Sequence, residues 1–429
     1  MDVKAPLGTE DILPEQAAAW QRVEAAARAL FARYGYGEIR TPIFEATRLF
    51  VRSIGETTDI VEKEMYTLGE GEDSLTLRPE ATAPVVRAYL EHSLHKSRAF
   101  QKLYYIGPMF RHERPQAGRK RQFHQIGVEA IGATDPLLDA EVIALACHLL
   151  DELGIGGYRV RLNAIGTPAS RGGYRDLIKA ALSAQQDRLC PDCRRRLDRN
   201  VFRVLDCKNE GCIGLSRSLP SILDHLPQEE RAHFDRVAEA LRSAGVPFEA
   251  DPFLVRGFDY YTGVVFEITH RALGAQDALC GGGRYDNLIA DLGGPPLGAV
   301  GFAIGFERLL MALQAVAAPA AAPALDLYVV TMGAAARLAA FGCVTALRRA
   351  GLTADTDYEG RGLKAQMRTA NKLGARFVVV LGDNELASGL LKLKHMASGA
   401  ETEVSGVEAI LHAIREHSGQ GAGGVELNP

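Results

Sequence analysis

No apolar run in these 429 residues is long enough to cross a bilayer. A large charge of one sign is also missing: 49 Lys+Arg against 53 Asp+Glu leave a formal net charge of −4. The molecule as a whole is therefore not a basic nucleic-acid binder, and any RNA contact must come from local patches. Cysteine is scarce and odd in number, seven in all. The chain is also far longer than disulfide-dense secreted domains, which points to a reducing, cytoplasmic home. The opening MDVKAPLGTEDILPE is polar and acidic and holds no signal-peptide core. There is no internal repeat, and the glycine-rich CGGGRYDNL (Cys280–Leu288) lacks the Lys-Ser/Thr of a phosphate-binding P-loop. What remains is an ordinary globular composition, 47% hydrophobic and 24% charged, long enough for two or three domains with sizeable cores.

The stretch Tyr104–Glu129, YYIGPMFRHERPQAGRKRQFHQIGVE, crowds five Arg/Lys, two His and two Glu between short apolar runs. Tyr104–Phe110 and Phe123–Ala130 read as strands joined by a long hairpin loop rich in Pro, Gly and Arg. Cations on a loop held between rigid strands suit a polyphosphate, although a solvated basic loop would look the same in isolation. Upstream, apolar spacing predicts a helix over Glu15–Tyr34, ended by Gly35 and Gly37, then a strand over Glu38–Phe44 with Pro42 at an edge or bulge. Thr82–Ser93 and Asp139–Leu153 read as helices and Tyr158–Asn163 as a strand. Residues 166–246 are charged, cysteine-containing and largely helical in pattern. Sheet returns over Phe253–Thr269 and Gly298–Phe302, and Phe302–Ala315 reads as a buried helix. The Ala/Pro string at 315–324 marks a linker. Beyond it, over 325–417, strands and helices alternate as βαβαβ, the pattern of a small α/β domain with parallel strands. The Gly-rich tail 418–429 is expected to be disordered.

Five strings in order carry a resemblance: YGYGEIRTPIFE, TLRPEAT, FRHERP…RQFHQ, LVRGFDYYTG and GFAIGFERL. Together they closely resemble the histidyl-tRNA synthetase family of class II aminoacyl-tRNA synthetases, over nearly the whole chain. The resemblance implies an α/β protein. Its parts would be an α+β catalytic domain built on an antiparallel class II sheet (1–165 and 247–314), a helical insertion (166–246) and a C-terminal α/β anticodon-binding domain. It implies a homodimer that joins L-histidine to histidine-specific tRNA, with ATP and Mg2+, through a histidyl-adenylate. A non-catalytic alternative is the related regulatory subunit of ATP phosphoribosyltransferase, which typically lacks the C-terminal domain and has degraded motifs. A general RNA-binding protein would not explain the buried Arg/Tyr/Glu set.

Carried over residue by residue, the resemblance implies that Arg111 and Arg256 neutralise the α-phosphate and the reacting carboxylate. Glu113 would lie near the adenine, Arg119 or Arg121 would reach the outer phosphates, and Arg308 would clamp ATP from the opposite side. Glu80 and Thr82 would take the histidine ammonium and Gln125 the amino acid backbone. Glu129 and Tyr261 would read the imidazole, with Tyr260 ranked behind Tyr261. The plain structural reading of Arg256 is a core salt bridge to Asp259, and Arg284 and Tyr285 would lie at the floor of the site, with binding and packing both open. Val264 and Ala81 depart from the family's usual Thr and Gly without removing a catalytic group. In the C-terminal domain Lys364, Arg368 and Lys372, four apart on one helix face, would meet tRNA phosphate. Cys190, Cys193, Cys207 and Cys212 form a C-x2-C…C-x4-C grouping with the ligand number and loop closure of structural zinc. Against zinc, the family does not in general require it here and many members lack these cysteines, so an insertion with free thiols stays open.

Overall fold

The computed structural model describes residues 3–56, 58–274, 277–316 and 325–420, with side chains as far as 417. Most of the expected linker, and the tail from 418, therefore lie outside the described side chains. The chain divides into two compact units, Met1–Pro319 and Ala320–Pro429. No described helix is long and apolar enough to cross a membrane.

The first unit is organised by an eight-stranded sheet among the described residues. Its central hairpin pairs Gln101–Phe110 with Gln122–Ile131, so both expected strands are present and longer than the pattern suggested. Strands Ala299–Gly305, Ala278–Arg284, Val264–His270 and Tyr158–Ala164 follow in antiparallel order. Two short parallel strands, Gly37–Glu38 and Glu249–Ala250, close the edges. The period of two decides what each strand does. Ile126, Val128 and Ala130 sink into the core with Val300, Phe302 and Ile304. Gln125, Gly127 and Glu129 take the opposite face. The core side is covered by Pro14–Arg33, which opens on a proline at its first turn and buries Val23, Ala27, Leu30 and Phe31. It is covered as well by Pro136–Glu152, whose start is fixed by Asp135 accepting from the Leu137 amide.

Three expectations need correction. The strand over Glu38–Phe44 is really two: Gly37–Glu38 on the large sheet, and Phe44–Ala46, which joins a small sheet with Leu75–Leu77 and Tyr66–Leu68. The break falls at Thr41-Pro42, where a proline offers no amide to a ladder. The Arg78 guanidinium takes the Thr41 and Pro42 carbonyls instead, at 2.9 and 3.3 Å. The region Phe253–Gly263 is loop, and the strand begins only at Val264. A strand would send Tyr260 and Tyr261 to opposite faces, whereas both line one cavity. The helix expected from Phe302 starts at Phe306, because Phe302–Gly305 belongs to the preceding strand.

Residues 166–246 are mainly helical, with the sixteen-residue helices Pro168–Ser183 and Gln228–Ser243 on either side of three shorter ones. The second unit has a five-stranded sheet among the described residues. Ala354–Thr356, Leu327–Thr331 and Phe377–Leu381 run parallel, as the alternation predicts. Two antiparallel strands that the pattern did not supply, Leu391–His395 and Glu401–Val404, extend it. Leu391 and Leu393 alternate with Lys392 and Lys394, while Glu401–Glu403 are exposed and leave Val404 alone to mark the second strand.

Candidate active site

A cavity of about 140 Å³ opens on the large sheet's non-core face. Glycine makes it. A Cβ on Gly301 would strike the Glu129 carboxylate, and one on Gly281 would overlap the Arg256 guanidinium. Around this floor stand Glu80, Thr82, Arg111, Gln125, Glu129, Arg256, Tyr260, Tyr261 and Tyr285. Every residue expected around the amino acid is therefore in one place, from segments as far apart as 80 and 285. A wider surface cleft of about 550 Å³, lined by Arg33, His148 and Glu152 among others, lacks this convergence. Chemistry, not size, singles out the smaller cavity.

One wall is acidic and held from behind. The Glu129 carboxylate accepts from Thr82 Oγ1 at 2.8 Å and from the Tyr285 hydroxyl. Burial pushes Glu129 up to about 8 despite these two donors, and the neighbouring Glu80 adds to the rise. Glu80 accepts from the amides of Thr82 and Ala83 at 2.6 and 3.0 Å, which satisfies the start of helix Thr82–Glu91. Burial raises Glu80 too. Gln125 keeps a buried side-chain oxygen without a partner, a group prepared for a ligand. Phe258, Tyr260, Tyr261 and Tyr285 form an aromatic wall, with Phe258 stacked on Tyr260 at 5.1 Å.

The facing wall is cationic. Arg111 donates from Nε to the Pro79 carbonyl at 2.8 Å and lies over the Phe123 and Phe258 rings. Arg256 pairs through Nη1 with Glu267 at 2.9 Å, while its buried Nε has no partner. Its partner is thus not Asp259, which instead accepts from Asn200 at 3.3 Å. Glu267 is shared with Arg161 at 3.1 Å, so one carboxylate serves two guanidinium groups and neutralises Arg256 only in part.

Farther out, Arg119 reaches Glu113 at 3.3 Å, and Arg111 stands 3.8 Å from the same carboxylate. Arg308 donates to the carbonyls of Gly118 and Ala278 and keeps Nη2 buried without a partner. Burial, and then the nearby charge of Arg119, lowers its affinity for its proton. Arg121 is committed differently: its backbone amide bonds the Gly8 carbonyl at 2.7 Å, and its stem covers the space a Gly8 side chain would need. Of the two candidates for the outer phosphates, Arg119 is the one that faces Arg308.

The histidyl-tRNA synthetase family model matches residues 8–309, and an anticodon-binding-domain model matches 326–417. The chain belongs to the histidyl-tRNA synthetase family. It is 52% identical over 407 residues to a histidine–tRNA ligase of Halothermothrix orenii, covering 94% of this chain and 97% of that one. It is 50% identical to that of Geobacillus kaustophilus, covering 98% and 100%. The crystal structure of apo S. aureus histidyl-tRNA synthetase matches with a TM-score of 0.80 at 38% identity, covering 96% of this chain and all of that one.

One contributor to this cavity, Glu267, was not anticipated as a functional residue. Tyr285, for which binding and packing were both open, donates directly to Glu129. Glu267, the partner of Arg256, was legible only as a lone acid inside the apolar strand VVFEITH. Arg284 is not at the floor. It turns to the other side of its strand and makes a buried pair with Asp139 at 2.8 Å. Lys364, Arg368 and Lys372 are exposed on helix Leu363–Lys372, whose buried face carries Gln366 and Ala370. The four insertion cysteines converge, with all four sulfurs within 4.8 Å of one another.

Proposed function

We propose that this chain is an active histidine–tRNA ligase that forms histidyl-adenylate in the cavity described above and transfers the histidyl group to tRNA. One observation carries the reading: a single small cavity sets two carboxylates, Glu80 and Glu129, across from two arginines, Arg111 and Arg256. Histidine brings an ammonium and an imidazole for the first wall and a carboxylate for the second. The relatives are named ligases over nearly their full lengths, which favours catalysis over the regulatory alternative.

ATP enters as its Mg2+ complex. A histidine carboxylate oxygen attacks the α-phosphorus, the bond to the β-phosphate oxygen breaks, and pyrophosphate leaves. Charge grows on the α-phosphate oxygens during this step, and Arg111 and Arg256 are positioned donors for it. Glu113 lies beside the adenine, and Arg119 with Arg308 holds the outer phosphates. Glu80 and Thr82 receive the ammonium, and Gln125 contacts the amino acid backbone. Glu129 and Tyr261 bracket the imidazole, with Tyr260 backing Tyr261. A terminal ribose hydroxyl of tRNA then attacks the activated carbonyl, and AMP departs.

The same reading divides the first unit into a catalytic domain (1–165 and 247–314) and an insertion (166–246), and gives the second unit the tRNA anticodon region. Lys364, Arg368 and Lys372 supply phosphate contacts there. Two copies pair through the small sheet, where Phe44, Leu68 and Leu75 are exposed apolar residues on neighbouring strands. The setting is the cytoplasm, in keeping with seven unpaired cysteines. Histidine-dependent ATP–pyrophosphate exchange tests the proposal. Exchange absent with histidine, or equal with other amino acids, refutes it.

A further inference from the structure

The segment 184–217 is built from short helices that pack Leu189, Leu197, Val204 and Leu215 into a core shared with Tyr174 and Ile178. Its helices Pro191–Arg199, Phe202–Leu205 and Glu210–Ser216 span nine, four and seven residues, too short to persist alone. At its centre are four cysteines. Cys190 precedes the first helix, Cys193 lies in that helix's first turn, Cys207 follows the second helix and Cys212 lies in the third. Cys193 and Cys212 are buried, and none is in a disulfide.

We propose that Cys190, Cys193, Cys207 and Cys212 bind one Zn2+ as a closed, structural tetrathiolate site. The geometry is that of a single tetrahedral ion. A Zn–S bond of about 2.3 Å requires sulfurs about 3.8 Å apart along each tetrahedral edge. Cys190 and Cys207 sulfurs stand 3.8 Å apart, and no pair of the four exceeds 4.8 Å. Two backbone amides already point at sulfur, Cys190 N to Cys212 Sγ at 3.3 Å and Asn209 N to Cys207 Sγ at 3.4 Å. Such donors stabilise sulfur that carries negative charge, which a neutral thiol has little use for. Cys190 and Cys193 sit at the positive end of a nine-residue helix, which favours the same charge. All-sulfur tetrahedral coordination suits Zn2+ or iron, and a site with no open position gives the ion a structural role. On binding, the four thiols release their protons as the four Zn–S bonds form, and no electron is transferred.

The site has a mechanical consequence. Arg203 pairs with Asp59 at 3.0 Å and Arg199 with Glu62 at 3.2 Å, on a segment whose Glu64 carbonyl receives the His112 amide beside Arg111. Asn200 donates to Asp259, in the loop that carries Arg256. The zinc-clipped lobe therefore braces the two loops that flank the cavity.

The test is the metal content of the full-length chain purified without chelator. One zinc per chain is expected. After stripping under reducing conditions, added Co2+ should bind one per chain and give the absorption of tetrahedral thiolate coordination. Cys207→Ser and Cys212→Ser should abolish that spectrum and lower the melting temperature by several degrees. Should both variants fail to fold, the Co2+ titration of the wild-type chain decides alone. A chain with no zinc that takes up no Co2+ overturns the proposal. So does iron with acid-labile sulfide, or a native chain whose four thiols are joined in disulfides.

Discussion

The two walls of the cavity are built on opposite plans. On the acidic wall, Glu80 and Glu129 each accept from two fixed donors, in all two amides, a threonine and a tyrosine, which leaves each carboxylate room for a ligand. On the cationic wall, Arg111 holds a backbone carbonyl and Arg256 shares one carboxylate and keeps a buried N–H without a partner, as Arg308 does farther out. A buried unpartnered donor is costly, so these arginines are held ready for a ligand by the surrounding fold. The difference matches two tasks. Selecting one amino acid needs a wall whose polar groups cannot rearrange to suit another ligand. Stabilising charge that appears only in a transition state needs donors not already neutralised.

The comparison breaks most visibly at Arg256. Arg256→Ala should slow adenylate formation about 10²–10³-fold, the loss that accompanies removal of one preorganised donor. Histidine binding should change far less. Single-turnover rates within a few-fold of wild type would mean that the cationic wall is only structural.

Glu129→Gln probes the other wall. Losing a hydrogen bond to a charged group costs about 1.5–3 kcal/mol, so the histidine KM should rise roughly 10- to 100-fold while the ATP KM holds. pH sharpens this. Glu129 is neutral below about 8 in the empty pocket, and a cationic or donating ligand needs its anion. Histidine affinity should therefore fall as pH drops from 8 toward 6, and the variant should lose that part of the slope. Stability should move the opposite way. A carboxyl raised from 4.5 to about 8 contributes stability that is full below 4.5 and lost as pH climbs to 8. The melting temperature of the empty protein should decline over that window, and Glu129→Gln should flatten it. A histidine KM unchanged by the substitution would move imidazole reading to another group.

The smallest effect belongs to the second unit; the described residues of both walls belong to the first. Replacing Lys364, Arg368 and Lys372 together by alanine should leave pyrophosphate exchange intact. It should also reduce the salt dependence of tRNA binding by up to about 0.7–0.9 per lost phosphate contact. An unchanged slope would make that helix face merely solvated.

Much of the site could be read from motif strings because each keeps its functional residues within a few positions. Glu80 and Thr82 share one turn, and Gln125 and Glu129 share one face of one strand. The apolar period likewise announced the helices over 14–33 and 136–152 and the parallel strands of the second unit. Of the antiparallel pair at 391–404, the edge strand Glu401–Val404 is exposed except at Val404 and carries little apolar pattern, and Leu391–His395 offers only a two-leucine alternation.

The residue order along this chain determined which strand face is core and which is site, since alternation is a local property of backbone geometry. It also determined where the chain must leave a ladder, as at Pro42. Only the tertiary structure decided the partners. Strand register sets Gly301 across from Glu129, and the fold brings Tyr285 to Glu129 from 156 residues away. Packing around a loop assigned Arg256 to Glu267 in place of the nearer Asp259. Three short helices folded together brought four sulfurs within reach of one ion. Pairings of this kind depend on distances between segments far apart in the chain, and those distances exist only once the core that fixes them has formed.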